Sequence, residues 1–269
     1  MERITSRQNP VVAEYRAASR GDTRGIILLD GPHLLGDALG ADVQLRHVLV
    51  ASEALDRPEI RHLLAHLPAA VPVFEGSRQV LDAVSPVRSS SAIVALAAQP
   101  PEPADLFSGT TPLVVVLSDV QDPGNVGAII RAAEGAGASG AIVAGQSADP
   151  FGWKALRGSM GSALRLPVQR LTHARDALRD ARTRGVRTVA TVPRNGVSLY
   201  EADLTGPLAL LVGGEGPGLS EALTADADLR VTIPMNAPVE SLNAAVATAV
   251  LLYEARRQRT ATGRTPLHA

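Results

Sequence analysis

Short, nearly uninterrupted apolar runs recur along the chain, and between them apolar residues return at three- and four-residue spacing. Runs of the first kind predict strands, and the second pattern predicts amphipathic helices. In the first part, Ile26–Leu29, His47–Val50, Val71–Phe74 and Ala92–Leu96 read as strands, and 8–19, 32–39, 58–67 and 77–84 read as helices. A second series comprises Leu113–Leu117, Ala141–Ala144, Arg187–Val192, Leu208–Val212 and Leu229–Ile233, rich in valine and leucine as strands buried on both faces are. Helical patterns fill the gaps, the longest from Ser241 to about Arg259. Right-handed crossovers then predict an α/β fold with a mostly parallel sheet and helices on both faces. Between the two series lies Gln99–Pro112, where four prolines disfavour both helix and central strand. The expected organisation is a small α/β domain over 1–98, a proline-rich linker over 99–112 and a larger domain over 113–269.

Three turns stand directly after strand-like runs in the second series. They are Asp122-Pro-Gly-Asn125-Val-Gly-Ala-Ile-Ile-Arg131, Leu211-Val-Gly-Gly-Glu215-Gly-Pro-Gly218, and Ile233-Pro-Met-Asn236 with Ser241-Leu-Asn243 close behind. Each sets polar side chains among small residues, where backbone can approach a ligand. In parallel sheets ligands bind beyond the carboxyl ends of the strands, so the three turns are expected to form one site. After Pro123-Gly124, Val126, Ile129, Ile130 and Ala133 define a core stripe, and Arg131 lies away from it beside Gly127 and Ala128. Taken singly, the polar residues have plain structural readings: Asn125 as a helix N-cap, Arg131 and Glu215 as solvated, Ser241 as a cap with Asn243 in the first turn. The glycine turn around Glu215 lacks the Gly-Lys-Ser/Thr ending of a phosphate loop and the position of a dinucleotide fingerprint, and its carboxylate would repel phosphate. A neutral or cationic ligand suits it better.

Composition narrows the classes. There are no cysteines, which removes disulfides, thiolate metal sites and cysteine nucleophiles. Of the six histidines only His62 and His66 form a close pair, and no third ligand accompanies them, so no metal is expected. Nothing approaches the ~20 apolar residues of a membrane span, and the first residues carry no secretory signal, so a cytoplasmic protein is expected. The net charge of −1 announces no nucleic-acid partner, although a local patch would be sufficient to bind one. With aromatics at 3%, base stacking is not expected as the main binding mode. The seven arginines from Arg165 to Arg187 read as a solvated face.

In order and together, these turns resemble the three motifs of the SpoU/TrmH family of RNA 2′-O-ribose methyltransferases, within the SPOUT superfamily. Arg157-Gly-Ser-Met-Gly161 with Leu166-Pro-Val168 is similar to a further family stretch, and the resemblance covers roughly 112–258. It implies a C-terminal trefoil knot, S-adenosylmethionine as cofactor, RNA as substrate and a homodimer with its sites near the subunit interface. By the same resemblance Gly213, Ile233 and Leu242 contact the cofactor, and Asn125, Arg131, Glu215, Ser241 and Asn243 build the catalytic surroundings. Residues 1–98 look similar to the family's RNA-binding N-terminal domain, although Arg88-Ser-Ser-Ser-Ala-Ile-Val departs from the usual Pro-Gln-Gly-Val/Ile-Val there.

The expected activity is therefore methylation of a ribose 2′-hydroxyl, with ribosomal RNA favoured over transfer RNA. Arg131's counterpart is assigned in the family to activate that hydroxyl, yet a guanidinium stays protonated and makes a poor general base. Stabilising the developing alkoxide is the role that its chemistry permits. Two rivals remain: a non-catalytic RNA-binding protein retaining the fold, and a nucleotide-dependent oxidoreductase, which lacks the acidic ribose partner it would need.

Overall fold

The computed structural model describes residues 1–87 and 90–262; Arg88, Ser89 and His268 lie outside the described residues. The chain sorts into two compact units, one of residues 1–101 with Phe151–Arg165, the other of Glu102–Pro150 with the chain from Leu166 onward.

In the first unit the elements are β1 (Glu2–Ile4), α1 (Pro10–Arg20), β2 (Ile26–Asp30), α2 (Pro32–Gly40), β3 (Leu45–Ala51), α3 (Pro58–Ala65), β4 (Val73–Gly76), α4 (Arg78–Val84) and β5 (Ile93–Ala98). The strands form one sheet in the order β1-β4-β3-β5-β2. β1, β4 and β3 run parallel, while β5 is antiparallel to both β3 and β2. Asn9 caps α1 by accepting the Val11 N–H at 2.8 Å, and Pro10 occupies the first turn, where its missing N–H costs nothing. All four expected strands and four expected helices of this unit are present, with β4 displaced two residues from the apolar run that announces it.

The second unit contains β6 (Leu113–Ser118), α5 (Pro123–Gly135), β7 (Gly140–Ala144), β8 (Val168–Leu171), α8 (Ala174–Thr183), β9 (Arg187–Thr191), β10 (Val197–Ser198), β11 (Leu208–Gly213), α9 (Glu221–Asp226), β12 (Leu229–Thr232) and α10 (Ala244–Ala261). Between β7 and β8 the chain forms α6 (Trp153–Ser159) and α7 (Ser162–Arg165), which belong to the first unit. The seven strands lie in the order β10-β12-β9-β11-β6-β7-β8, every pairing parallel. Both faces are covered, and β6, β7 and most of β11 are buried along their length, as their apolar composition requires. From the proline-rich stretch, Leu106 and Phe107 are buried in the hydrophobic core of this unit.

α10 packs along α5 in the same direction: the N-termini meet through Asn125 and Asn243, and Arg256 donates to the Gly135 carbonyl at 2.8 Å near the far end. Farther along, the buried Arg259 guanidinium reaches the carbonyls of Thr111, Pro112, Leu204 and Gly206, tying the end of α10 to the chain entering β6 and β11. The core stripe Val126, Ile129, Ile130 and Ala133 of α5 is buried as its spacing predicts. α10 starts three residues later than the pattern from Ser241 suggests, because Asn243 takes the capping position. Among the described residues, no helix is long and apolar enough to cross a membrane.

Candidate active site

The site follows from strand register. β6 and β11 pair over six residues, with Gly213 opposite Ser118, and the Gly214 N–H extends the ladder to the Ser118 carbonyl at 3.0 Å. The chain leaving β6 therefore travels beside the chain leaving β11. The first reaches Asn125 in the opening turn of α5, and the second reaches Glu215 two residues beyond its strand. There Asn125 Nδ2 donates to Glu215 Oε1 at 2.6 Å.

Asn243 closes a triangle, its Nδ2 donating to Asn125 Oδ1 at 3.0 Å and to Glu215 Oε1 at 3.1 Å. Its Oδ1 meanwhile accepts the N–H groups of Ala245 at 2.9 Å and Val246 at 3.3 Å, as the N-cap of α10. The cap sets the orientation of the amide: with the oxygen committed to the helix, the NH₂ has to face Asn125 and Glu215. Capping and site-building are thus one role. Two local expectations are corrected here. Asp122, not Asn125, caps α5, accepting the Asn125 N–H at 2.8 Å and leaving the Asn125 side chain free for the triangle. Likewise Asn243, not Ser241, caps α10, because its backbone holds the extended conformation from which the helix departs. The positive ends of two helices meet around Glu215, a setting that favours an anion.

Beside the triangle opens a cleft of ≈ 220 Å³. Gly213, Ile233 and Leu242 line it, together with Glu215 and Ser241, against apolar walls from Val212, Leu219, Val231 and Leu251. Tight glycine geometry shapes its floor. Gly216 and Gly218 adopt φ of 90° and 66°, and a side chain on Gly213 or Gly214 would overlap neighbouring backbone. Arg131 is absent from both the triangle and the cleft lining: it is exposed on α5 and makes no hydrogen bond or ion pair among the described residues. The arginines from Arg165 to Arg187 differ, since most of them pair with carboxylates, as in Arg170–Asp149, Arg175–Asp226 and Arg184–Asp105.

Sequence reasoning missed Asp119. It adopts a left-handed φ of 60°, accepts the Gln146 N–H at 2.8 Å and the Ser118 hydroxyl at 3.0 Å, and presses its carbonyl on Gly214. It thereby joins the ends of β6, β7 and β11. An aspartate just past a buried strand is a weak signal, since Asp tolerates this backbone in many ordinary turns. Thr191 and Thr224 also line the cleft unforeseen, carried there by the end of β9 and by α9.

Residues 112–253 match the SpoU rRNA Methylase family. The chain belongs to this family. It is 35% identical to an uncharacterized tRNA/rRNA methyltransferase of Synechocystis sp., over 95% of this chain and 94% of that protein. It is 30% identical to the 23S rRNA (guanosine(2553)-2′-O)-methyltransferase RlmP of Bacillus subtilis, over 95% of this chain and 100% of the relative. Among solved structures, the SpoU methyltransferase AviRb from Streptomyces viridochromogenes in complex with AdoMet superposes with a TM-score of 0.85 at 29% identity, over 94% of this chain and 99% of that one. Among the described residues, no group of three or more histidine, aspartate or glutamate side chains is arranged to hold a metal ion.

Proposed function

We propose that this SpoU-family protein transfers a methyl group from S-adenosylmethionine to a ribose 2′-hydroxyl of RNA, with ribosomal RNA favoured over transfer RNA. The observation that carries the reading is the Asn125–Glu215–Asn243 triangle beside the cleft of Gly213, Ile233 and Leu242. The name of the Bacillus subtilis relative, a 23S rRNA 2′-O-methyltransferase, supports the substrate, and the AdoMet bound to AviRb supports the cofactor. The cytoplasm is the compartment that this reading assigns to the protein.

The cleft suits such a cofactor on its own chemistry. Its glycine floor exposes backbone, its walls are apolar, and Glu215 at its rim favours a positively charged guest. When bound, S-adenosylmethionine supplies an electrophilic methyl group on a positively charged sulfur. Ile233 and Leu242 provide apolar walls for an adenine ring, and the Gly213 backbone gives close approach. Ser241, whose hydroxyl has no partner among the described residues, faces the same cleft. Asn125 and Asn243 hold Glu215 and orient the acceptor ribose. Arg131, exposed and outside the cleft of its own chain, would act from the second copy of the dimer that this reading expects, stabilising the oxygen as its proton leaves to water or an RNA oxygen while its fork grips the neighbouring phosphate.

A homodimer belongs to the same reading. Val246, Val250 and Tyr253 recur on one face of α10 and are exposed, continuing the exposed Leu242 into an apolar stripe that a second copy would cover. The expected trefoil knot also belongs here. β12 lies two strands beyond β11, yet α10 returns to pack on α5, so the chain after β12 has to pass back across the strand ends.

The test is methyl transfer from S-adenosylmethionine to ribosomal RNA from a strain lacking the gene, with the product mapped as 2′-O-methyl ribose. Transfer to a base, or cofactor binding without transfer, overturns the proposal. Arg131→Lys keeps the charge but loses the fork, and wild-type turnover in that variant removes bidentate positioning from the mechanism.

A further inference from the structure

The chain has one tryptophan and one lysine, and they are adjacent: Trp153 and Lys154. Both stand at the start of α6, in the compact unit that contains residues 1–101. α6 turns Ala155, Leu156 and Ser159 inward. At 100° per residue these occupy one side of the helix, and Trp153, Lys154 and Arg157 occupy the other. The ring of Trp153 is half-buried, with Lys154 exposed and its ammonium 5.5 Å from the ring centroid. That ring is the only partner recorded for Lys154 among the described residues. Arg157 is anchored on the buried carboxylate of Asp30 at 3.3 Å while 48% of its side chain remains exposed. Met160, directly after the helix, is 49% exposed.

An aromatic ring and two cations on one side of a helix, with an exposed thioether just past its end, form a surface with a definite chemistry. The apolar part suits a flat, unstacked ring and the cations suit the phosphates on either side of it. A solvated helix face in this protein looks different. In α8 each arginine pairs with an acidic residue or carbonyl nearby, and no aromatic is present.

We propose that Trp153, Lys154, Arg157 and Met160 form a contact for an unpaired nucleotide of the RNA substrate, the base stacking on Trp153 and the backbone phosphate meeting Lys154. This rests on the reading of the protein as an RNA methyltransferase, and adds to it a substrate contact that lies outside the cleft and the triangle. A lone stacking platform also agrees with the scarcity of aromatics, since it secures one base and leaves the rest of the affinity to charge and shape.

Because Trp153 is the sole tryptophan, its emission reports on this surface alone. The full-length protein is titrated at low salt with a fluorescein-labelled RNA hairpin carrying an unpaired pyrimidine loop, and with a fully paired duplex of the same length. Label anisotropy measures binding, and tryptophan emission measures stacking. Binding of the hairpin with quenching of Trp153, absent or much weaker for the duplex, is the expected result. Trp153→Ala should then weaken hairpin binding roughly five- to a hundred-fold, with Trp153→Phe in between. Lys154→Ala should lower the slope of log K against log salt by about one unit or less. Hairpin binding with unchanged emission, equal quenching by the duplex, or wild-type affinity in a folded Trp153→Ala variant overturns this proposal and leaves the methyltransferase reading intact. Absence of hairpin binding also overturns this proposal, whereas the methyltransferase reading stands or falls by methyl transfer to ribosomal RNA.

Discussion

Asn243 offers the sharpest separation of folding from chemistry, because one amide serves both. Its oxygen caps α10 and its NH₂ holds Asn125 and Glu215. Asn243→Ala removes all of these bonds. The lost cap is expected to cost about 1 kcal/mol, which lowers the melting temperature by roughly 2–4 °C for a chain of this size. The two donor bonds are each worth about 0.5–1.5 kcal/mol, and if they are needed in the transition state, turnover falls roughly five- to 150-fold. Asn243→Asp keeps the acceptor that caps the helix and loses the donors. It should therefore keep the stability of the cap, since Asp caps as well as Asn, and lose only what the missing donors and the facing carboxylates cost. Its turnover should nonetheless drop at least as far as that of the alanine variant, because a carboxylate then faces Glu215. Urea or thermal unfolding gives one axis and single-turnover methyl transfer the other. An aspartate variant with wild-type turnover refutes the division of labour within this side chain.

Other tests follow from the same geometry. Gly214→Ala forces a Cβ into the Asp119 backbone and should cost about 1–3 kcal/mol in unfolding experiments along with cofactor affinity; Gly206→Ala, with nothing within 4 Å, should be neutral and serves as the control. Val250→Glu places a charge in the exposed stripe of α10 and should turn the proposed dimer into a monomer by light scattering, while an unchanged dimer mass removes that stripe from the interface. Asp228 is partly desolvated, which pushes its carboxyl up, but the hydroxyl and N–H of Thr188, with Arg182 and Arg187 nearby, bring it below the usual range. The stability it contributes is thus present above the pKa of an ordinary aspartate and lost as pH falls through the lower folded value. Asp228→Asn should flatten the acid limb of the stability–pH profile, and an unaltered limb would contradict the assignment.

Much of the fold was legible in the residues. β6 and β11 are apolar enough to announce burial on both faces, and the glycine-rich turns after them mark where a ligand could approach. β1, β8 and β10 escaped notice because each is short; β1 and β10 stand at sheet edges, as β8 does, and an edge strand needs only one neighbour and little apolar surface. Arg259 reads as one more surface residue near the end of a helix, yet it is buried, its guanidinium held by carbonyls that come from distant turns. The start of α10 was ambiguous for a different reason: Ser241 and Asn243 are both good caps, and local propensity does not rank them.

Periodicity, turn chemistry and motif order are local properties, written in neighbouring residues, and by themselves they determined the α/β class with its mostly parallel sheet, the family resemblance and the polar residues proposed for the site. Which of those residues touch is a different matter. Asn125 and Asn243 are 118 positions apart, and they meet because the β6–β11 register and the packing of α10 on α5 bring two helix ends to one place. Arg131 shares a motif with Asn125 and yet stands apart from the triangle, since the turn of the helix carries it to another side. The helical period alone accounts for the second outcome, but only tertiary structure could decide the first, because that distance in space depends on long-range register and packing that no short stretch of sequence encodes.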